Sequence, residues 1–295
     1  MKTNIKNYLS LVKFSHTIFA MPFALIGFFL GLQQTGFTSE KPWWKLLILV
    51  LLCMVFARNA AMAFNRWLDK NFDALNPRTA IREIPLGIIP GKSALLFVIF
   101  NSITFIVCTY FINPICLLLS PVALFVILFY SYTKRFTHLC HFVLGLGLSL
   151  APIGSYLAVT GKFNLLPVLF SFTVLFWVSG FDIIYALLDV DFDQANNLYS
   201  LPATAGKKNA LTISVFLHAL SAACVIAAGI FGGFGWIFWL GVLFFISLLV
   251  YQHTLVKPEN LAKVNIAFFT TNGIASVIFC IFVVLDLFTN KINSF

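Results

Sequence analysis

The sequence predicts an all-α, polytopic membrane protein: nine transmembrane helices around a central cavity that opens to the cytoplasmic side. Three observations carry the helical, membrane-spanning class. Of 295 residues, 60% are hydrophobic and only 10% charged, against about 25% charged in an ordinary soluble domain. The apolar residues fall in runs long enough to cross a bilayer, which takes roughly 20 residues each. Ten-residue segments of alternating polarity, which mark an outer-membrane barrel, are absent from the sequence.

In chain order the nine runs are approximately 14–32, 43–64, 93–112, 115–132, 142–160, 165–188, 210–231, 236–256 and 264–288. Lys2, Lys6 and Lys13 precede the first, but no small-x-small cleavage site follows it. It is therefore read as a mature helix and not a cleaved signal. The preceding "NYLSLVKF" reads as an amphipathic lead-in on the membrane surface. A tight "INP" turn separates the third and fourth runs, and "GGFG" the seventh and eighth. In the fifth, Gly145, Gly147, Ser149, Ala151 and Gly154 read as one helix-packing face. The six cysteines form no Cys-x-x-Cys pair and read as small hydrophobes inside the runs. His138 and His141, with no cysteine or carboxylate beside them, read as interfacial polar residues.

Nine spans put the termini on opposite sides. The side of the N-terminus collects fourteen Lys and Arg, and the other side only Lys41, Lys45, Lys162 and Lys291. That bias makes the N-terminal side cytoplasmic. It also accounts for the net charge of +9 as a topology signal with attraction to anionic lipid, with no nucleic-acid partner required.

Seven of the ten acidic residues lie in two windows, Asp69–Glu83 and Asp182–Asp193. Asn65, Asp69 and Asp73 step by four at the end of the second run, and Asp189 and Asp193 at the end of the sixth. Residues so spaced share a helical stripe, where like charges repel. A carboxylate at membrane depth adds about 2.5–3.5 kcal/mol of its own. A divalent cation would compensate, since Mg²⁺ takes one or two carboxylates together with phosphate oxygens. Arg78, Arg82, Lys134 and Lys207 follow or flank the clusters, and arginine forks and lysine charges suit phosphate. The two acid pairs are 120 residues apart in sequence. This suggests one domain over 1–295, built from two four-helix halves, about 14–135 and 140–256, with a ninth helix at 264–288.

These stretches resemble the UbiA-type intramembrane prenyltransferases. "NRWLDKNFD" is similar to the family's Asn-x-x-x-Asp-x-x-x-Asp motif, "NPRTAIREIPLG" to its Arg-rich loop, "DVDFD" to its second aspartate motif and "NNLYSLPATAG" to its Ser-x-Pro…Gly loop. "GFDIIYALLD" and "YSYTKR" add to the likeness, which spans nearly the whole chain. "KFSHTIFAMPFALIG" and "AMAFNRWLD" look most like the bacterial 4-hydroxybenzoate polyprenyltransferase-like branch, which serves quinone synthesis, both ubiquinone and menaquinone. Glu83 stands where many relatives have Pro.

The resemblance implies a chemistry. Mg²⁺ held by Asn65, Asp69, Asp73, Asp189 and Asp193 binds an isoprenyl diphosphate in the bacterial inner membrane, with the site facing the cytoplasm. Arg78, Arg82, Lys134 and Lys207 hold the diphosphate oxygens, and an activated aromatic acid attacks the allylic cation left behind. Tyr130 and Tyr185 are the ring faces nearest the polar clusters. Arg58, seven residues before Asn65, is expected to bind the acceptor's carboxylate, with Asp182 near its hydroxyl. A plain Arg58–Asp182 pair is the competing reading. No protein partner is implied. Two other functions stay open on sequence alone: a transporter of a divalent or organic cation, and a haem- or chlorophyll-type prenyltransferase.

Overall fold

The computed structural model describes residues 5–12, 20–37 and 41–290. Among them the chain is helical, with one isolated bridge between Lys257 and Asn260. A short α1 (Ile5–Leu11) and α2 (Met21–Gln34) come first, then α3 (Trp43–Leu68) and a six-residue α4 (Lys70–Leu75). Next are α5 (Gly91–Ile112), α6 (Pro114–Thr133), α7 (Cys140–Thr160) and α8 (Leu165–Ala186). The short α9 (Val190–Ala195) and α10 (Leu201–Ala205) precede α11 (Lys207–Gly232), α12 (Trp236–Leu255) and α13 (Asn272–Thr289). A π-turn over Ile266–Thr271 leads into α13.

Eight helices among the described residues are long and apolar enough to cross a membrane, one fewer than expected. The first expected span survives as the fourteen-residue α2, which at 1.5 Å per residue covers about 21 Å of a 30 Å core. Residues 13–19, with Lys13 and the start of that span, lie outside the described residues, as do Lys2 and Lys291.

Local chemistry fixes the turns. Asn113 opens α6, its Oδ1 accepting from Cys116 N at 2.8 Å, as an N-cap does. Lys41 Nζ closes the end of α5 by donating to Phe111 O and Ile112 O at 2.7 and 2.6 Å. Gly233 ends α11 with φ +62°. Asp286 accepts from Gly235 N and Phe238 N at 2.8 and 3.2 Å, which pins the "GGFG" turn to α13.

The two largest apolar clusters join most of the helices. An aromatic one gathers Phe23, Phe170, Trp177, Phe238, Phe245 and Phe279 from α2, α8, α12 and α13. The other joins Phe28, Leu46, Val50, Phe105 and Leu124 from α2, α3, α5 and α6. Outward residues such as Leu96, Phe100, Leu118, Phe125 and Leu243 are exposed, as lipid-facing positions are. The segment containing α8 is 56% buried over its apolar window, against 17% for α6, so the helix carrying the second acid motif is the central one.

The small residues of α7 do not share one face. A Cβ at Gly145 would lie 2.5 Å from Leu175 O of α8, one at Gly147 would meet Ile127 of α6 at 3.4 Å, and one at Gly154 meets nothing within 4 Å. Positions 145 and 147, two residues apart, lie on opposite sides of the helix and meet α8 and α6, while 154, seven residues on and on the same side as 147, meets open space. The lead-in segment is α1, but Leu11 and Val12 are buried and Tyr8 stacks on Phe97 at 4.9 Å. It packs onto the protein as well as lying at its surface.

Candidate active site

Both acid motifs take the same local form. The first helix ends at Leu68, Asp69 steps out of helical geometry (φ −91°, ψ 7°), and α4 carries Asp73. In the second, α8 ends at Ala186, a 3₁₀ turn runs to Asp189 (φ −110°, ψ 6°), and α9 carries Asp193. The expected continuous stripe is thus broken at its middle aspartate. Its four-residue step survives in the first motif, because Asp69 N still donates to Asn65 O at 2.9 Å and Asp73 N to Asp69 O at 2.8 Å.

The fold brings both motifs to one end of the bundle, where each of the four carboxylates meets a base. Arg135 Nη2 donates to Asp69 Oδ1 at 2.9 Å and to Leu68 O. Arg82 Nη1 lies 2.5 Å from Asp73 Oδ1, and Lys134 Nζ 2.7 Å from Asp193 Oδ1. Arg78 grips Asp189 with two prongs, Nε to Oδ1 at 3.1 Å and Nη2 to Oδ2 at 2.5 Å. Asn76 Nδ2 adds a third bond to Asp189 at 3.3 Å. The Arg-rich loop after the first motif therefore binds the second one, more than 100 residues away.

A polar chamber of about 320 Å³ lies among these groups, walled by Asn65, Asp73, Arg78, Arg82, Lys134 and Asp189. Asp69 and Asp193 are not part of its wall; they stand behind it, held by Arg135 and by Lys134 with Ser200. No three Asp, Glu, His or Cys side chains among the described residues close around one point. Polar atoms are nonetheless left over. Asp73 Oδ2 is buried with no hydrogen-bond partner, and so are Nε and Nη1 of Arg66, a chamber-lining side chain only 5% exposed. An orphaned carboxylate oxygen and orphaned guanidinium donors in one chamber fit a cation and an anion bound together.

Electrostatics agree. Burial pushes the Asp73 carboxyl up to about 6, against the pull of Arg66. Burial also raises Asp69, with Arg135 opposing it. At Lys134 burial works against the charge, but Asp193 outweighs it and the ammonium is held more firmly.

An apolar cavity of about 410 Å³ adjoins the chamber. The two share Arg58, Met62, Tyr130, Leu144 and Leu148 in their walls. Gly154, whose missing Cβ faces open space, lines the apolar part. Tyr185 closes the polar part, its OH accepting from Arg78 Nη1 at 2.8 Å and its ring stacked on Phe268 at 4.1 Å.

Most expected site residues line the chamber. Lys207 does not: it begins α11, outside the wall, because α10 intervenes between it and the second motif. The expected alternative of an Arg58–Asp182 pair does not form. Asp182 Oδ2 meets His141 Nδ1 at 2.6 Å, so His141 is a buried site residue and not an interfacial one. Its sequence neighbours carry no acid; the partner comes from α8. Arg66, Arg135, Asn76 and Ser200 also went unassigned, although each sits inside or beside a quoted motif. Glu83, the departure from the resembled pattern, accepts from Ser10 Oγ of α1 and ties that helix to the Arg-rich loop. Acids at helix ends beside bases, and not at the bilayer middle, are unlike a transporter site.

Comparison with known proteins extends this. Residues 20–274 match the model of the UbiA prenyltransferase family. A 4-hydroxybenzoate octaprenyltransferase of Nitrosospira multiformis is 28% identical over 234 residues, covering 79% of this chain and 80% of that one. One from Francisella tularensis subsp. mediasiatica is 30% identical over 241 residues, covering 81% and 84%. The ligand-free structure of a UbiA homologue from Aeropyrum pernix is 30% identical and superposes with a TM-score of 0.82, covering 92% and 98%. A UbiA homologue from Archaeoglobus fulgidus, bound to DMAPP and Mg²⁺, superposes at 0.76 with 19% identity over 96% and 100%, a likeness of fold.

Proposed function

This chain belongs to the UbiA prenyltransferase family, and on that premise we propose that it transfers a polyprenyl group from an isoprenyl diphosphate to an aromatic acid acceptor in quinone synthesis. The observation that carries the reading is the pairing of four carboxylates with four bases around a chamber that opens into an apolar cavity. The curated relatives above are 4-hydroxybenzoate octaprenyltransferases, and the Archaeoglobus fulgidus homologue binds a prenyl diphosphate with Mg²⁺.

Asn65, Asp73 and Asp189, which wall the chamber, would hold Mg²⁺, with Asp69 and Asp193 behind them adding negative charge and turning inward only by giving up Arg135 and Lys134. When bound, the metal supplies positive charge to the leaving diphosphate. Arg78, Arg82, Lys134 and Arg66 hold the diphosphate oxygens and meet the charge that grows on them as the allylic C–O bond breaks. The prenyl chain lies in the apolar cavity past Arg58 and Tyr130. Tyr185, stacked on Phe268, and Tyr130 offer ring faces to the allylic cation, and the bilayer-embedded walls keep water from it. Arg58, at the junction of the two spaces, takes the acceptor's carboxylate, and Asp182 faces its hydroxyl. The chamber mouth faces the cytoplasm, on the side of the fourteen basic residues. The matched helix–break–short helix forms of the two motifs support two related halves, 14–135 and 140–256.

Membranes carrying the protein are supplied with 4-hydroxybenzoate or dihydroxynaphthoates and with prenyl diphosphates of several lengths. Prenylated acid and pyrophosphate are expected in equal amounts, and EDTA is expected to abolish both. Transfer that survives EDTA, or pyrophosphate release with no aromatic product, would overturn the proposal.

A further inference from the structure

His141 occupies the first turn of α7 and is 3% exposed. Both of its ring nitrogens are engaged. Nδ1 lies 2.6 Å from Asp182 Oδ2, and Leu201 N donates to Nε2 at 3.2 Å. A backbone amide carries a hydrogen and can only donate. Nε2 is therefore the acceptor, and the ring proton sits on Nδ1, pointed at Asp182. This arrangement also excludes a metal at Nε2, since the lone pair is taken.

Asp182 lines the chamber with its side chain 22% exposed. With Oδ2 committed to His141, Oδ1 remains for a ligand. The pair is not needed to join α7 to α8. Those helices already meet through Gly145 against Leu175 O, and through Ser179 Oγ donating to His141 O at 3.2 Å.

The contact at Nε2 reaches the other half of the chamber. Leu201 follows Ser200, whose Oγ donates to Asp193 Oδ2 at 2.6 Å, and Tyr199, whose N donates to Lys134 O at 2.7 Å. Three consecutive residues thus hold the ammonium-bearing helix end, a motif carboxylate and the imidazole.

We propose that His141 is a positioning residue, which presents Asp182 to the acceptor's hydroxyl and, through Leu201, ties that aim to the segment holding Lys134 and Asp193. This rests on the aromatic prenyl transfer proposed above. In the step, the ring π pair forms the new C–C bond while the allylic C–O bond breaks and its electrons leave on the diphosphate. Asp182 Oδ1 takes the hydroxyl proton. The substituted carbon then loses its hydrogen as a proton to the departing pyrophosphate while Asp182 returns the hydroxyl proton to the oxygen, so one proton in net leaves with the pyrophosphate and Asp182 ends as it began.

Two measurements on the full chain test this. In ligand-free protein carrying ¹⁵N-histidine, His141 is expected as the Nδ1-protonated tautomer, identified by loss of its signal in His141→Phe. An Nε2-protonated ring overturns the arrangement whether or not the acceptor is an aromatic acid. In kinetics, His141→Ala and His141→Phe are expected to lower kcat about 10–100-fold, the scale for losing a partner that orients a reacting group. KM for the prenyl diphosphate should stay unchanged. His141→Asn, whose amide nitrogen can replace Nδ1, should recover most of the rate. A fluorinated 4-hydroxybenzoate with a more acidic hydroxyl should narrow the loss to under about tenfold. An equal loss with every acceptor, or a loss confined to the KM of the prenyl diphosphate, overturns the positioning role.

Discussion

Replacing Asp73 with Asn should stabilise the ligand-free protein and abolish its activity. The Asp73 side chain is 8% exposed and its Oδ2 has no partner. Burial lifts its carboxyl from 3.8 to about 6. The folded state therefore binds this proton more tightly than the unfolded chain does, and stability falls as pH rises from about 4 through 6. Above that window the whole deficit is present. The gap between 3.8 and about 6, at about 1.4 kcal/mol per pKa unit, makes it about 3 kcal/mol. Asn has nearly the same shape, carries no charge and keeps an Oδ1 that accepts from Arg82 Nη1, whose side chain is 22% exposed and still reaches water. Thermal unfolding in detergent with EDTA should place Asp73→Asn roughly 5 °C above the parent at pH 8, the shift for 3 kcal/mol in a chain of this size. By linkage the advantage should shrink to about 1 kcal/mol at pH 4.5. Prenyl transfer should fall at least about 100-fold, the scale for removing one preorganised charged or polar group. An Asn variant less stable than the parent at pH 8, or an advantage that does not vary with pH, would refute the reasoning.

Four further outcomes are expected. Mg²⁺ alone and pyrophosphate alone should each raise Tm slightly, and together by more than the sum; additive shifts would mean that they bind apart. Arg66→Gln should raise the KM for the prenyl diphosphate about 10–100-fold, the worth of one charge-assisted bond, and leave the acceptor KM unmoved in steady-state assays. Gly154→Phe should fold normally, because a Cβ there meets nothing within 4 Å, yet fill the apolar cavity; kcat/KM should drop for long prenyl diphosphates and hold for geranyl diphosphate. Gly27→Val should lower stability by about 3 kcal/mol in thermal unfolding, since its Cβ would sit 2.0 Å from Pro152 O of α7.

The legible part of this chain was periodic. Runs of apolar residues mark spans, and steps of four mark acids on one stripe, because both signals arise from helical geometry within a single segment. Helix ends followed closely: the predicted 93–112 is observed as Gly91–Ile112, and 165–188 as Leu165–Ala186. The pairing of those acids was not legible. Arg78 reaches Asp189 across 111 residues, and His141 reaches Asp182 across 41. Lys207 and Arg135 show the limit well. Both follow an acid motif or an aromatic cluster in sequence, but only Arg135 reaches a carboxylate, because α6 ends beside Asp69 while α10 stands between the second motif and Lys207. Proximity in sequence named the right kind of residue and not always the right one.

The one-to-one pairing explains how so many charges persist at the edge of a bilayer. Burial pushes Asp69 and Asp73 toward protonation even beside their bases, and without those bases the push would be stronger. Paired with Arg135, Arg82, Arg78 and Lys134 they leave the empty chamber close to neutral. A substrate that brings a multivalent cation and a multivalent anion together offers each member of every pair a new partner of the correct sign. The anion alone would strip the bases and strand the carboxylates, and the cation alone would strand the bases; a stranded buried charge costs several kcal/mol. On the proposed function the chamber should take the two together more readily than either alone, by the same electrostatics that pairs its charges without them. Arg66 is the exception that sets the direction, since its orphaned Nε and Nη1 give the anion a first foothold without breaking any pair.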